Sequence, residues 1–214
     1  TRIEWSPFVW KNQLHIAEKL GITSCAIEGD FPKRTILHCF RRKTLSEING
    51  KVQKKNLKKT VAGLRSDFDW VSIEPSSIKV LVDAIAFPQV DAIMLTASSP
   101  LKLAHQKYLA LLRDHSKILE IDLNPFFSYR SKQKEITKLL KILNLVRQKP
   151  PQMVFTISDP NPFSFRRYRN LQSLGNSLGI DINYSSLRPF IENIKRNRKR
   201  REGKLISGDI EVDN

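Results

Sequence analysis

The residues best suited to chemistry in this sequence are the polar ones that follow short apolar runs: Gly29 and Asp30, Glu74, Thr96, Asp122 and Asn124, and Ser158 and Asp159. If those runs are parallel strands, their ends share one rim, which is where α/β barrels carry active sites. Asp122, Asn124 and Asp159 would supply the hard oxygen ligands that suit a magnesium ion. The same residue types also cap helices and close turns, and we read them that way. The four histidines form no ligand set. His15 falls in a helical stretch, His38 in a strand beside Cys39, His105 in mid-helix and His115 at a helix end, with no His-x-His or His-Glu-x-x-His spacing. Neighbouring side chains on a strand point to opposite faces, so His38 and Cys39 share no site. The chain also lacks a glycine-rich phosphate loop and a Gly-x-Ser-x-Gly turn. We therefore expect no catalytic residue, no protein-bound metal and no cofactor held by the protein itself.

The binding signal is stronger than the catalytic one. Lys195 to Arg201 holds six basic side chains in seven residues and continues a helically spaced apolar repeat, Leu187, Phe190, Ile191 and Ile194. Pro189 is tolerable in the first turn of such a helix if Ser186 caps it. Past Ile194 like charges stack at i, i+3 and i, i+4, at a cost of about 0.2–0.5 kcal/mol per pair, partly offset by cations favouring a helix C-terminus. A polyanion would relieve that repulsion. The excess extends over the body: 37 Lys and Arg against 21 Asp and Glu give a net charge of +16. Lys33 to Lys59 carries ten bases against Glu47, and Lys132 to Lys149 carries six against Glu135. A field of this size favours phosphate backbones, whose neutralisation releases counterions. The expected RNA-binding residues are Lys195, Arg196, Arg198, Lys199, Arg200 and Arg201, then Arg166, Arg167 and Arg169 around Tyr168, itself read as core. Arg198 and Arg200 lie beyond Ile194, so their replacement is expected to cost little stability.

No apolar run approaches the roughly 18 residues of a spanning helix, and no signal-peptide pattern opens the sequence. Cys25 and Cys39 sit in apolar segments and read as buried free thiols, which fits a reducing, cytoplasmic setting. The composition suits one domain over residues 1–202, with 203–214 as a flexible tail.

The elements that must position these residues alternate. Phe8 to Leu20 reads as a helix stopped by Gly21, Ile22 to Glu28 and Thr35 to Phe40 as buried strands, and Leu45 to Leu64 as a basic helical segment. Strands follow at Trp70 to Glu74, Asp91 to Leu95, Ile118 to Leu123 and Met153 to Ile157, each with an amphipathic helix after it. Such alternation requires parallel pairing with helices outside, as a parallel α/β sheet or a compact TIM-barrel-like fold. At least five strands are expected, with Ile93, Ile121 and Phe155 buried.

The second half resembles the archaeal and eukaryotic ribonuclease P protein component 3 family. The resemblance rests on Val90-Asp91-Ala92-Ile93-Met94-Leu95, on Leu119-Glu120-Ile121-Asp122-Leu123-Asn124-Pro125-Phe126, on Val154-Phe155-Thr156-Ile157-Ser158-Asp159, and on Ile194 followed by Asn197, Arg198 and Arg200. It covers Asp69 to Arg201. It implies a TIM-barrel-like fold related to the polymerase-and-histidinol-phosphatase (PHP) superfamily, without that superfamily's metal-binding histidines. It also implies a subunit of the ribonucleoprotein that removes 5′ leaders from precursor tRNA, with the cleaving Mg2+ ions held by the RNA. Implied partners are ribonuclease P RNA, protein component 2, the other holoenzyme proteins and precursor tRNA. Two stretches depart from the family: Ser158-Asp159-Pro160-Asn161-Pro162 replaces a small, Ser- and Gly-rich exit, and the N-terminal strand is represented at best by Arg2 to Trp5. The competing readings are a PHP-like metal-dependent phosphoesterase and a general nucleic-acid-binding module.

Overall fold

The structure, a computed structural model, describes residues 5–28, 37–46, 57–128, 132–161, 164–180, 187–206 and 210–211. Seven strands pair in parallel in the order of the sequence: β1 (Trp5–Trp10), β2 (Ser24–Glu28), β3 (His38–Ser46), β4 (Trp70–Glu74), β5 (Ala92–Leu95), β6 (Ile118–Asp122) and β7 (Met153–Thr156). They form a nearly closed barrel. The helices are α1 (Leu14–Lys19), α2 (Leu57–Leu64), α3 (Ile78–Ala86), α4 (Gln106–Asp114), α5 (Asn124–Phe127), α6 (Gln133–Val146), α7 (Tyr168–Ser177) and α8 (Arg188–Arg201). A two-stranded antiparallel hairpin, β8 (Leu205–Ile206) with β9 (Ile210–Glu211), follows α8. No helix among the described residues is long and apolar enough to cross a membrane.

The strands are buried on both faces, which explains their near-continuous burial from β4 to β7. Residues facing the helices are apolar: Val71, Ile73, Ile93, Leu95, Leu119, Ile121 and Phe155 are at most 1% exposed. Helix α7 comes so close to β7 that a Cβ on Gly175 would overlap the Phe155 ring. Gly21 and Gly179 follow their helices with φ of +75° and +76°, the left-handed stop that glycine adopts without strain.

Between β1 and β7 the ladder does not close, and side chains bridge the gap. Trp10 Nε1 donates to Ser158 O (2.9 Å), Asn12 Nδ2 to Pro160 O (2.9 Å), and Gln13 Nε2 to Asp159 O (2.8 Å) and Asn161 O (3.0 Å). These bonds pair loop carbonyls along the open seam and tie β1 to the exit of β7.

Three element expectations change. Phe8 to Trp10 belong to β1 and not to a helix, because Phe8 and Val9 are buried by the barrel and tertiary packing overrides the helical spacing. Leu45 lies in β3, which runs to Ser46; Ile48 and Val52 lie outside the described residues, as do Gly29, Asp30, Thr35, Ser186 and Pro162. His105 is the N-cap of α4, its Nδ1 accepting from the Lys107 N–H at 3.3 Å, because the chain breaks between a 3-10 turn (Leu101–Ala104) and α4.

Candidate nucleic-acid interface

Helix α8 lies across the base of the barrel, where the strands begin. Of the apolar repeat read from the sequence, Leu187, Phe190 and Ile194 are each 0% exposed and Ile191 is half-buried against the core. Phe190 packs edge-on against Trp70, the first residue of β4, with ring centroids 4.5 Å apart. One further turn along, polar side chains take over the anchoring. Asn197 Nδ2 donates to Asp69 O (3.0 Å) and Asp91 Oδ1 (2.9 Å), and Arg201 Nε pairs with Asp69 Oδ1 at 2.8 Å. The same two carboxylates hold the strands, accepting from the N–H groups of Arg41 within β3 and Val71 near the start of β4 at 2.8 and 2.7 Å. Arg65 Nη2 joins Asp91 Oδ1 at 2.5 Å. Burial pushes the Asp91 carboxyl up, against the pull of Arg65, Val71 and Asn197.

Arg198 is anchored as well. Its guanidinium lies 5.1 Å from the Phe40 ring centroid, its Nη1 donates to Cys39 O at 3.3 Å, and its Nε pairs with Glu202 at 2.8 Å. These contacts run against the expectation that replacing Arg198 costs little stability: Ile194 is the last apolar anchor, and Asn197, Arg198 and Arg201 form a polar one. Past Ile194 the exposed face of α8 carries Lys195, Arg196, Lys199 and Arg200, while earlier in the helix Arg188 and Glu192 are exposed as an ion pair. Arg196 Nη2 donates to Asn193 Oδ1 within the helix (2.9 Å).

The other expected group sits elsewhere. Arg166, Arg167 and Arg169 follow the exit of β7, at the rim opposite the base. Arg166 stacks 5.2 Å from the Phe127 ring and donates to Phe165 O, while Arg167 and Arg169 are exposed. Tyr168 is core, 1% exposed. The nine basic residues named from sequence thus divide between two ends of the barrel.

The mouth of the barrel, at the C-terminal ends of the strands, holds a cleft of about 350 Å³ lined by Glu28, Glu74, Asp122 and Glu135 among hydroxyl and aromatic side chains. Asp122 is fully engaged: Oδ1 accepts from the Asn124 and Ser158 N–H groups (both 3.0 Å) and Oδ2 from Ser158 Oγ (2.5 Å), tying β6 to β7. Burial raises its pKa, those hydrogen bonds lower it, and nearby Glu74 raises it again. Asp159 closes a turn, accepting from the Asn161 N–H and Ser164 Oγ. Among the described residues no three His, Cys, Asp or Glu side chains converge to hold a metal ion.

Sequence reasoning missed the barrel interior. Arg42 on β3 and Glu120 on β6, both 0% exposed, form a two-pronged ion pair across the lumen. Trp70 Nε1 and Ser72 Oγ also donate to Glu120 (2.7 and 3.1 Å), Arg42 Nη1 donates to Pro7 O, and its guanidinium stacks 4.4 Å from Phe8. The available signal was a lone acid inside an apolar strand, Leu119-Glu120-Ile121.

Geometry and charge together define a TIM-barrel-like α/β protein with an acidic mouth and an anchored basic helix over its base. The chain is similar in fold to a chain of the cryo-EM structure of archaeal ribonuclease P with mature tRNA, at a TM-score of 0.68 and 13% identity, covering 100% of this chain and 98% of that one. No family model matches the sequence, and no curated protein matches it.

Proposed function

We propose that this protein is a subunit of ribonuclease P, the ribonucleoprotein that removes the 5′ leader from precursor tRNA. The observation that carries the reading is α8: its apolar and polar anchors fix it to the barrel base while two i, i+4 pairs, Lys195 with Lys199 and Arg196 with Arg200, face outward. A rigid cationic rod of this kind binds phosphates without paying to order itself first. The similar chain in an RNA-containing particle supports assigning the RNA as ribonuclease P RNA. In this reading the protein works with component 2 and the other holoenzyme proteins to support the catalytic RNA, and cleavage uses Mg2+ held by that RNA. The protein contributes no catalytic group.

The test is reconstitution with ribonuclease P RNA and component 2. Processing of precursor tRNA should depend on this chain and fall in a Lys195→Gln/Arg200→Gln variant that melts like the wild type. Processing that proceeds equally well without the chain overturns the reading. The acidic mouth cleft favours one alternative, a PHP-like metal-dependent phosphoesterase. Cleavage of RNA by the protein alone with added Mg2+, lost in Asp122→Ala, would establish it.

A further inference from the structure

Helix α6 carries a second row of cations. Lys134, Lys138 and Lys141 follow one another at i, i+4 and i+7, and with Gln133, Thr137 and Leu101 they line a groove of about 380 Å³ beside the 3-10 turn that follows β5. Among the described residues no acid lines this groove. Glu135, the acid of the first turn, lines the mouth cleft instead and accepts from the Lys132 N–H at 3.2 Å. Lys138 Nζ donates to Ser98 O at 3.0 Å, which fixes the middle of the row to the rim of the barrel. Lys134 and Lys141 have no hydrogen-bond or ion-pair partner among the described residues. Like charges three and four residues apart on a helix repel one another, so the row is under a tension that an anionic ligand relieves.

We propose that this groove is a second docking site for the phosphate backbone of RNA, separate from the base helix. The helical rise spaces the three lysines about 6 and 4.5 Å apart along the axis, the same order as successive charges along a nucleic-acid strand. The row begins in the first turn of a fourteen-residue helix, where the dipole also favours anions. An acidic peptide would need apolar anchors of its own, and Leu101 is the one apolar residue among those lining the groove. Helix α6 starts at the mouth and α8 covers the base, so the two rows engage different stretches of backbone. The inference depends on the ribonuclease P reading only for which RNA is bound.

Two variants and two RNAs separate these ideas: Lys134→Gln/Lys141→Gln and Lys195→Gln/Arg200→Gln, each titrated with ribonuclease P RNA and with an unrelated RNA duplex across salt concentrations. Both lysines on α6 are exposed, so the α6 variant should melt like the wild type. It should bind both RNAs more weakly, with the slope of log affinity against log salt reduced in magnitude by about 1.4–1.8, the amount due to two phosphates. Lysine-acetylation footprinting should show Lys134 and Lys141 protected by RNA. An α6 variant with the wild-type slope overturns the inference, and the α8 variant then reports independently on the proposed function. Protection of these lysines by polyglutamate but not by RNA also overturns it and assigns the groove to an acidic protein segment. Loss of slope in the α6 variant with none in the α8 variant sustains the groove and refutes the base helix as the RNA contact.

Discussion

Arg42 and Glu120 are a charged pair where neither residue can reach water, and the energetics of such pairs are asymmetric. Two ions taken out of water are repaid by each other only while both are present, so removing one partner costs about 3–5 kcal/mol, whereas replacing both with apolar groups is often close to neutral. Glu120→Ala should therefore lower unfolding free energy by about that much in urea denaturation, and Arg42→Met/Glu120→Leu should lose less than the two single changes combined. A Glu120→Ala variant of wild-type stability would mean that the lumen pair contributes nothing. Asp122 gives a pH signature of the opposite kind from a salt-bridged acid. Burial raises its folded pKa above the unfolded 3.8. The native state then holds a proton that the unfolded state has released, so this residue's contribution is greatest below the unfolded pKa and is lost as pH rises through the folded one. An Asn at 122 keeps acceptors and gains a donor toward Ser158 without titrating. Melting temperatures across the acid range should show Asp122→Asn gaining on the wild type as pH increases. A constant difference between the two would mean that folding does not shift the Asp122 pKa.

Helix α8 shows how one element can be read correctly in outline and wrongly in detail. Its extent, its apolar stripe and its basic ending follow from period and composition, which are local properties. That Asn197 and Arg201 turn inward depends on Asp69 and Asp91, and that Arg198 does so depends on Cys39 and Phe40, all more than a hundred residues earlier, which hydrophobic periodicity cannot register. The first strand failed for a related reason: Phe8 to Trp10 fit a helical spacing locally, and only pairing with β2 makes them extended. Within α8 the arginines should now behave differently. Arg198→Ala gives up a stack on Phe40, a bond to Cys39 O and a partly exposed ion pair, together about 1–2 kcal/mol. Arg200→Ala changes an exposed position and should stay within about 0.5 kcal/mol. Thermal melts of the two single variants decide it; equal effects would mean that the inward and outward faces of the helix are energetically alike.

At the scale of the whole molecule, the net charge of +16 is divided by the fold rather than spread evenly. Strand-helix alternation was enough to read parallel strands with helices outside, as a sheet or a barrel, and the burial of Ile93, Ile121 and Phe155, because outward strand faces are continuous apolar runs. The division of charge was not legible, since it depends on which strand end each residue reaches. Acids that follow strands collect at the mouth as Glu28, Glu74 and Asp122, and burial raises the pKa of Glu28 despite nearby Arg42. Cations collect on α8 at the base and on the flank of α6. A polyanion approaching this protein thus meets exposed cations at the base and along α6. The binding energy should therefore be electrostatic and additive over those surfaces. The four exposed cations of α8 alone predict a slope of log affinity against log salt on the order of −3 to −3.5, and two further contacts on α6 take the total to about −4 to −5. Neutralising Lys195, Arg196, Lys199 and Arg200 should leave only the remainder. Titrations at several salt concentrations measure both numbers, and binding that does not weaken with salt would mean that RNA is held by something other than these charged surfaces.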